Sequence, residues 1–304
     1  MDYLAKSITK NGHFRAYVAD ASNVVKQMTE MHKMSPDVTV AFGRTLIATA
    51  LVGSSLLKED DQMHISINGR GPIGQIVTET NSKSELRGYV TNPKAIAKTN
   101  TNGEADISNL VGLNGTLRVT KVHPGLDHPG LDPYTGEVKL VTGQIGDDFT
   151  YYLAQSEQIP SAVGVSVFVD SKGLVKSAGG FLLQTLPGAN DTELDLLEQH
   201  LRKMPNISSM LAEGLSANQI LAQLFANLKV DILETIPLKT ADELPKKWYA
   251  DAIGTLPKKE IQAMIDEDHG AEIVSRFTEK KYNFSKEELK KILALKMDKK
   301  LGEE

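Results

Sequence analysis

Residues 143–188 read GQIGDDFTYYLAQSEQIPSAVGVSVFVDSKGLVKSAGGFLLQTLPG, and the fold class follows from this stretch. Phe149, Tyr151 and Leu153 recur at every second position, the period of a strand, and residues 163–169 (VGVSVFV) are β-branched and almost wholly apolar. Asp170-Ser171-Lys172-Gly173 is a turn signal, after which strands are expected at 174–177 and 181–186. An antiparallel meander this apolar belongs in the middle of a sheet. It contains Asp147, Asp148, Ser156 and Glu157 but no histidine, so it reads as architecture before it reads as a catalytic site.

Toward the N-terminus, residues 2–9 and 14–18 form an expected hairpin around Asn11-Gly12. Asp20 is placed to cap a helix whose apolar face is Val24, Val25, Met28 and Met31. Ser35-Pro36-Asp37 opens a longer helix, apolar on most sides and rich in small residues, which is expected to be sandwiched between other elements. Strands follow at 64–67, 73–80, 86–90 and 117–122. Residues 69–74, GRGPIG, fit the dinucleotide string G-x-G-x-x-G, but Pro72 and the β-type alternation that follows make them a hairpin turn. Residues 94–113 are polar and turn-rich, with a loop tip at 100–103. A small duplication, HPGLD-HPGLD, sets His123, Asp127, His128 and Asp132 close together; the spacing matches no helix-borne zinc motif, and a solvated loop is expected.

Beyond Gly188 the texture becomes helical. One helix carries Leu194, Leu197 and Leu201; Asn206 is placed to cap a short one with Ile207, Met210 and Leu211. Ser216 and Gln219 form a capping box before Ile220, Leu221, Leu224 and Phe225. These apolar faces either pack on the large domain or can be uncovered to bind something. A smaller domain then contains a helix started by Pro257, a hairpin at 271–277 and 282–284, and a capping box at Ser285 and Glu288. The chain therefore reads as α+β: a large domain, 1–190, of mainly antiparallel or mixed sheets packed with helices; a helical connector, 191–232; a small α+β domain, 233–292; and a charged tail, 293–304.

Composition is consistent with two soluble domains. The 304 residues are 40% hydrophobic and 24% charged, and a net charge of −5 argues against a dedicated nucleic-acid binder. The most membrane-like window, 38–57, is interrupted by Arg44 and several hydroxyl residues, so a buried helix, no membrane span and a cytoplasmic location are expected. There is no cysteine, which forbids disulfides, thiolate metal sites and a cysteine nucleophile.

The chain resembles the 33 kDa chaperonin family, redox-regulated holdase chaperones of the heat-shock response. The resemblance is carried by GRTLIATALVGSSLL (43–57), NGRGPIGQIV (68–77), GYVTNP (88–93), NGTLRV (114–119) and YTGEVKLVTGQIGDDFTYYLAQSEQIPSAVGVSVFV (134–169). AGGFLLQTLPG (178–188) and KKEIQAMIDEDHGAEIV (258–274) extend it. The family holds one zinc with a C-x-C and a C-x-x-C pair, and oxidation there unfolds the small domain and connector to expose client-binding surface. Here those positions fall on Asp242, Leu244, Ser275 and Thr278, so no zinc and no other cofactor is expected. By analogy with zinc fingers, the missing metal removes about 10–16 kcal/mol of folding energy, leaving Leu244, Trp248, Tyr249, Val274, Tyr282 and their apolar neighbours to build a core.

The resemblance implies an ATP-independent holdase that binds unfolded or partly folded clients, without enzymatic activity and with heat or another unfolding stress as its trigger. Client contacts are expected from the connector residues named above, and homodimerisation stays open. A partner-specific adaptor is the alternative. A small-molecule hydrolase using Asp147, Asp148 and the loop histidines is a third, but no Walker motif, G-x-S-x-G or H-E-x-x-H is present.

Overall fold

The computed structural model describes residues 1–101, 103–123, 133–225 and 228–301. Strands β1 (Tyr3–Thr9) and β2 (Phe14–Asp20) form the expected hairpin, with Gly12 at φ 76° supplying the left-handed turn position. Helix α1 (Ser22–Met31) is capped differently from expectation. Asp2 Oδ2 accepts from Val24 N at 2.7 Å, whereas Asp20 Oδ1 accepts from the amide and hydroxyl of Ser22. Helix α2 (Pro36–Leu56) starts at Ser35, whose Oγ accepts from Val38 N at 3.3 Å. Its threonines survive burial because Thr45 and Thr49 return their hydroxyls to the carbonyls of Ala41 and Thr45, at 2.9 and 2.8 Å.

Next come β3 (Gln62–Asn68), β4 (Gln75–Asn81), β5 (Glu85–Val90), α3 (Ile107–Val111), β6 (Thr116–Val122) and β7 (Tyr134–Lys139). The glycine string is the β3–β4 turn, as expected. Helix α3, capped by Asp106 Oδ1 on Asn109 N at 3.0 Å, stands where only loop was expected.

The deciding stretch departs from the strand reading at its start. Residues Gly146–Gln155 are helix α4, not a strand. Buried Asp148 organises this helix: Oδ1 accepts from Val141 N (2.7 Å) and Thr142 N (3.1 Å), and Oδ2 from Ile145 N (3.3 Å). Phe149, Tyr152 and Leu153 face the core at helical spacing, while Tyr151 is exposed. Strand β8 (Ser161–Val169) is as expected, but residues 174–177 and 181–186 fuse into one strand, β9 (Val175–Thr185). Gly179 and Gly180 do not interrupt it; a Cβ at Gly179 would lie 2.5 Å from the Leu211 side chain, so glycine there admits a helix onto the sheet.

Helices α5 (Asp191–Leu201), α6 (Ile207–Ala212) and α7 (Ala217–Leu224) follow, then β10 (Val230–Pro237) and β11 (Lys239–Thr240). Asn206 makes no side-chain cap on α6, contrary to expectation. One sheet runs β10-β1-β2-β9-β8 and the other β11-β5-β4-β3-β6-β7; pairing is antiparallel except β11 with β5. β8 is therefore an edge strand, not the middle of its sheet. Helix α2 lies between the two sheets, touching β8 and β9 on one side and β4 and β5 on the other.

The chain divides into Met1–Ala241 and Asp242–Glu304. The boundary falls later than residue 233 because β10 pairs with β1 and so completes the first sheet. The second unit contains α8 (Lys246–Thr255), α9 (Lys258–Asp266), the hairpin β12 (Gly270–Val274) and β13 (Lys281–Ser285), and α10 (Lys286–Leu301). Ser285 and Glu288 form the expected capping box, and α10 continues through most of the segment read as a charged tail.

Candidate functional site

Two constellations concern function. The first is a covered apolar face in unit Met1–Ala241. Leu197, Ile207, Met210, Ile220, Leu221, Leu224 and Phe225, from α5 to the end of α7, are buried against Ala5, Phe14, Ala16, Val18 and Leu183 of the sheet. Leu194, Leu201 and Leu211 are partly buried on the same cluster, so all ten connector residues singled out in the sequence come together. Uncovering the face costs about 1.5–3 kcal/mol for each large side chain returned to water. It therefore stays closed unless something loosens it.

Polar contacts hold the cover. Asn190 Oδ1 accepts from Glu193 N at 3.0 Å, and Glu193 Oε2 lies 2.7 Å from His13 Nδ1 at the β1–β2 turn. Burial opposes ionisation of Glu193, but hydrogen bonds from His13, the Asn190 amide and Asn11 prevail and hold its carboxyl below the usual range. Ser177 Oγ donates to Ser208 O at 2.6 Å, and Ser208 N donates to Ser166 Oγ at 2.8 Å, pinning α6 to β9 and β8. Ser216 accepts from Gln219 N at 3.3 Å and starts α7.

The second constellation occupies the positions that match the family's zinc cysteines. Asp242 is exposed, Leu244 packs into the small core, Ser275 is buried and Thr278 is half-buried. Glu243, between the first two, joins them to the second pair: Oε1 accepts from Thr278 Oγ1 at 3.2 Å and Oε2 from Lys280 Nζ at 2.8 Å. Tyr282 OH donates to Leu244 O at 2.8 Å, and its ring stacks on Tyr249 with centroids 4.4 Å apart. Lys280, then Tyr282 and Thr278, hold the Glu243 carboxyl below its ordinary value. Burial, then Glu243, pushes the Tyr282 phenol up to about 12.

These residues do not fit a zinc ion. Leucine has no donor, the two hydroxyls are poor ligands, and the nearby carboxylate is engaged by an ammonium and a hydroxyl. Among the described residues no group of three His, Asp or Glu side chains is placed to hold a metal. Sequence reading missed Glu243 and Lys280; the available signal was a carboxylate lying between the two former ligand positions. Of the expected small core, Tyr249, Ile261, Ile265, Tyr282 and Phe284 are buried, but Trp248 is 50% exposed and Val274 48% exposed.

Among the described residues the hydrolase alternative finds no assembled site. Asp148 is the buried helix cap, and exposed Asp147 accepts from Thr142 Oγ1 at 3.0 Å. His123 pairs with Asp61, while Asp127, His128 and Asp132 lie outside the described residues. The glycine string offers no free phosphate cradle at its described amides: Arg70 N goes to Asn68 Oδ1, Gly71 N to Val111 O, Ile73 N to Leu110 O and Gly74 N to Gly71 O.

Comparison with known proteins agrees along almost the whole chain. The family described as Hsp33 protein matches residues 2–285. The 33 kDa chaperonin of Limosilactobacillus fermentum is 45% identical, over 97% of this chain and 99% of that one. That of Levilactobacillus brevis is 45% identical over 96% and 97%. The crystal structure of the Thermotoga maritima 33 kDa chaperonin superposes with a TM-score of 0.84 at 32% identity, covering 97% and 99% of the two chains.

Proposed function

The chain belongs to the Hsp33 family of chaperones, and from that premise we propose that it is a holdase whose capture surface is the apolar face under α5–α7. The observation that carries the reading is the single cluster formed by Leu197, Met210, Leu221, Leu224 and Phe225 with Phe14, Val18 and Leu183. Such a face has the chemistry of an unfolding client's own core, and it is released by loosening short helices rather than by melting the sheets. No nucleotide and no catalytic residue enters. Burial of client apolar area does the work.

The trigger in this reading is heat or another unfolding stress. Oxidation has no thiol to act on, and the metal positions carry the Glu243 cluster instead. Cytoplasmic action belongs to the same proposal. Among the described residues, α2 is the one helix long and apolar enough to cross a membrane, and 78% of its most apolar window is buried within the protein.

The test is light scattering from several unrelated thermally unfolding clients, at two temperatures, with and without peroxide. Suppression of aggregation across the panel, rising with temperature and indifferent to peroxide, is the expected result. Suppression confined to one client identifies an adaptor, and none at either temperature overturns the holdase reading.

A further inference from the structure

The edge of β8 opens into a cavity that contains a cation without a counter-charge. Val163 N donates sideways to Thr150 Oγ1 at 2.9 Å, so Val163 and, by the antiparallel alternation, Val165 turn their N–H and C=O away from β9. Helix α4 covers the edge at Val163, where a Cβ on Gly146 would lie 2.8 Å from the carbonyl oxygen. Among the described residues no group bonds to the outward backbone of Val165. A cavity of about 380 Å³ lies there, lined by Val165, Phe181, Gly146, Gln144, Asn206 and Arg44.

Arg44 reaches this space from the buried helix α2. Its Nη1 donates to Gln144 Oε1 at 3.1 Å, but its Nε, shielded from solvent, has no partner among the described residues. Burial lowers its pKa, with no described carboxylate offsetting the effect. A guanidinium nevertheless keeps its charge, and a desolvated charge is ordinarily paired. Asp147, also on the cavity wall, is exposed and accepts from Thr142 instead. Arg44 and the β8 and α4 wall come from segments that carry the family resemblance, residues 43–57 and 134–169, and the connector between α5 and α6, residues 201–207, closes the cavity.

We propose that this cavity binds an extended polypeptide segment bearing a carboxylate, its backbone adding to β8 at Val165 and its carboxylate meeting the Arg44 guanidinium. An unpaired strand edge supplies sequence-tolerant backbone hydrogen bonds, and the cation selects an acidic side chain or a chain terminus. The site rests on the chaperone reading, to which it adds a polar contact beside the apolar face under α5–α7, with Leu201 and Ile207 lining both.

The test uses the full chain and two labelled extended peptides of about eight residues, rich in Val and Thr, differing only in a central Asp or Asn. Fluorescence anisotropy should show the Asp peptide binding about tenfold more tightly, the scale of a charge-assisted hydrogen bond. Arg44→Met should abolish that preference and leave the Asn peptide unchanged; Val165→Pro, which removes the edge N–H, should weaken both. Should Arg44→Met fail to fold, Arg44→Lys should reduce the preference by losing the planar fork while keeping the charge. Equal binding of the two peptides, or a preference that survives in folded Arg44→Met, overturns the proposal. So does inorganic phosphate binding at Arg44 with no effect of Val165→Pro on either peptide, which would mark a simple anion site. Aggregation suppression by a protein that binds neither peptide removes this site and leaves the holdase. Peptide binding without suppression does the reverse.

Discussion

Glu243 Oε2 lies 2.8 Å from Lys280 Nζ, and through this pair the segment before α8 is tied to the turn between β12 and β13. These are the two segments that a metal joins in the family pattern. Glu243→Gln should lower the melting temperature of the second unit, and Lys280→Met should lower it further by little, because the two changes break one contact. A double-mutant cycle by thermal unfolding checks this. Fully additive losses would show that the residues act independently.

The same carboxylate makes the unit acid-sensitive. Lys280 foremost, with Tyr282 and Thr278, depresses the folded-state pKa of Glu243, and Lys246 foremost, with the Ser285 amide, depresses that of Glu288. A depressed pKa contributes stability above the unfolded value, about 4.3, and that contribution is lost as pH falls through the lower folded value. The second unit should therefore melt earlier as pH drops below about 4. Glu243→Gln should flatten part of that dependence. Melting curves between pH 3 and 7, on wild type and variant, are the measurement.

Elemental analysis of the purified protein should find no stoichiometric zinc, and a chelator should leave its melting curve unchanged. A tightly held zinc would redirect attention to His123 and His128.

The second unit should lose its packing before the sheets of the first. Its core is small, and Ile261→Ala should cost about 2–5 kcal/mol and move the first transition alone. Trp248 emission is a poor reporter because the ring is already half in solvent. Near-ultraviolet circular dichroism is better: Trp248 meets Tyr249 edge-on at 5.2 Å, and Tyr249 stacks on Tyr282. Its signal should vanish while the far-ultraviolet sheet signal persists. Coincident loss of both would count against an independently melting unit.

Leu224→Ala should loosen the connector by about 2–5 kcal/mol, since Leu224 is wholly buried. Hydrogen exchange in α7 should rise, and client capture should begin at a lower temperature. Faster exchange with unchanged capture would place the capture surface elsewhere.

Much of this architecture was legible because local signals were strong. The Asn11-Gly12 turn, the Ser35-Pro36 helix start and the Ser216–Gln219 box each specify their element by one contact or one backbone angle. Helix α4 was misread because Phe149, Tyr151 and Leu153 also fit period two; its helical signal is Phe149, Tyr152 and Leu153, anchored by Asp148 bonding back to Val141 and Thr142. The edge position of β8 was hidden because α2 and α6 pack on its faces and α4 covers part of its edge, giving it the composition of a central strand. The Glu243–Lys280 contact joins residues 37 apart with α8, α9 and β12 between them, and no periodicity encodes that.

The pairing of β10 with β1 makes the connector a loop stitched to one sheet at both ends, by β9 before it and β10 after it. Should α5–α7 lift away, as the proposed capture requires, they would remain tethered, at an effective concentration on the order of millimolar above the surface they left. A client bound there would compete throughout with an intramolecular rival of matching chemistry. Once stress ended and the tether regained its helices, release would need no fuel, because the chain's own segment would fold back and block rebinding of a departed client.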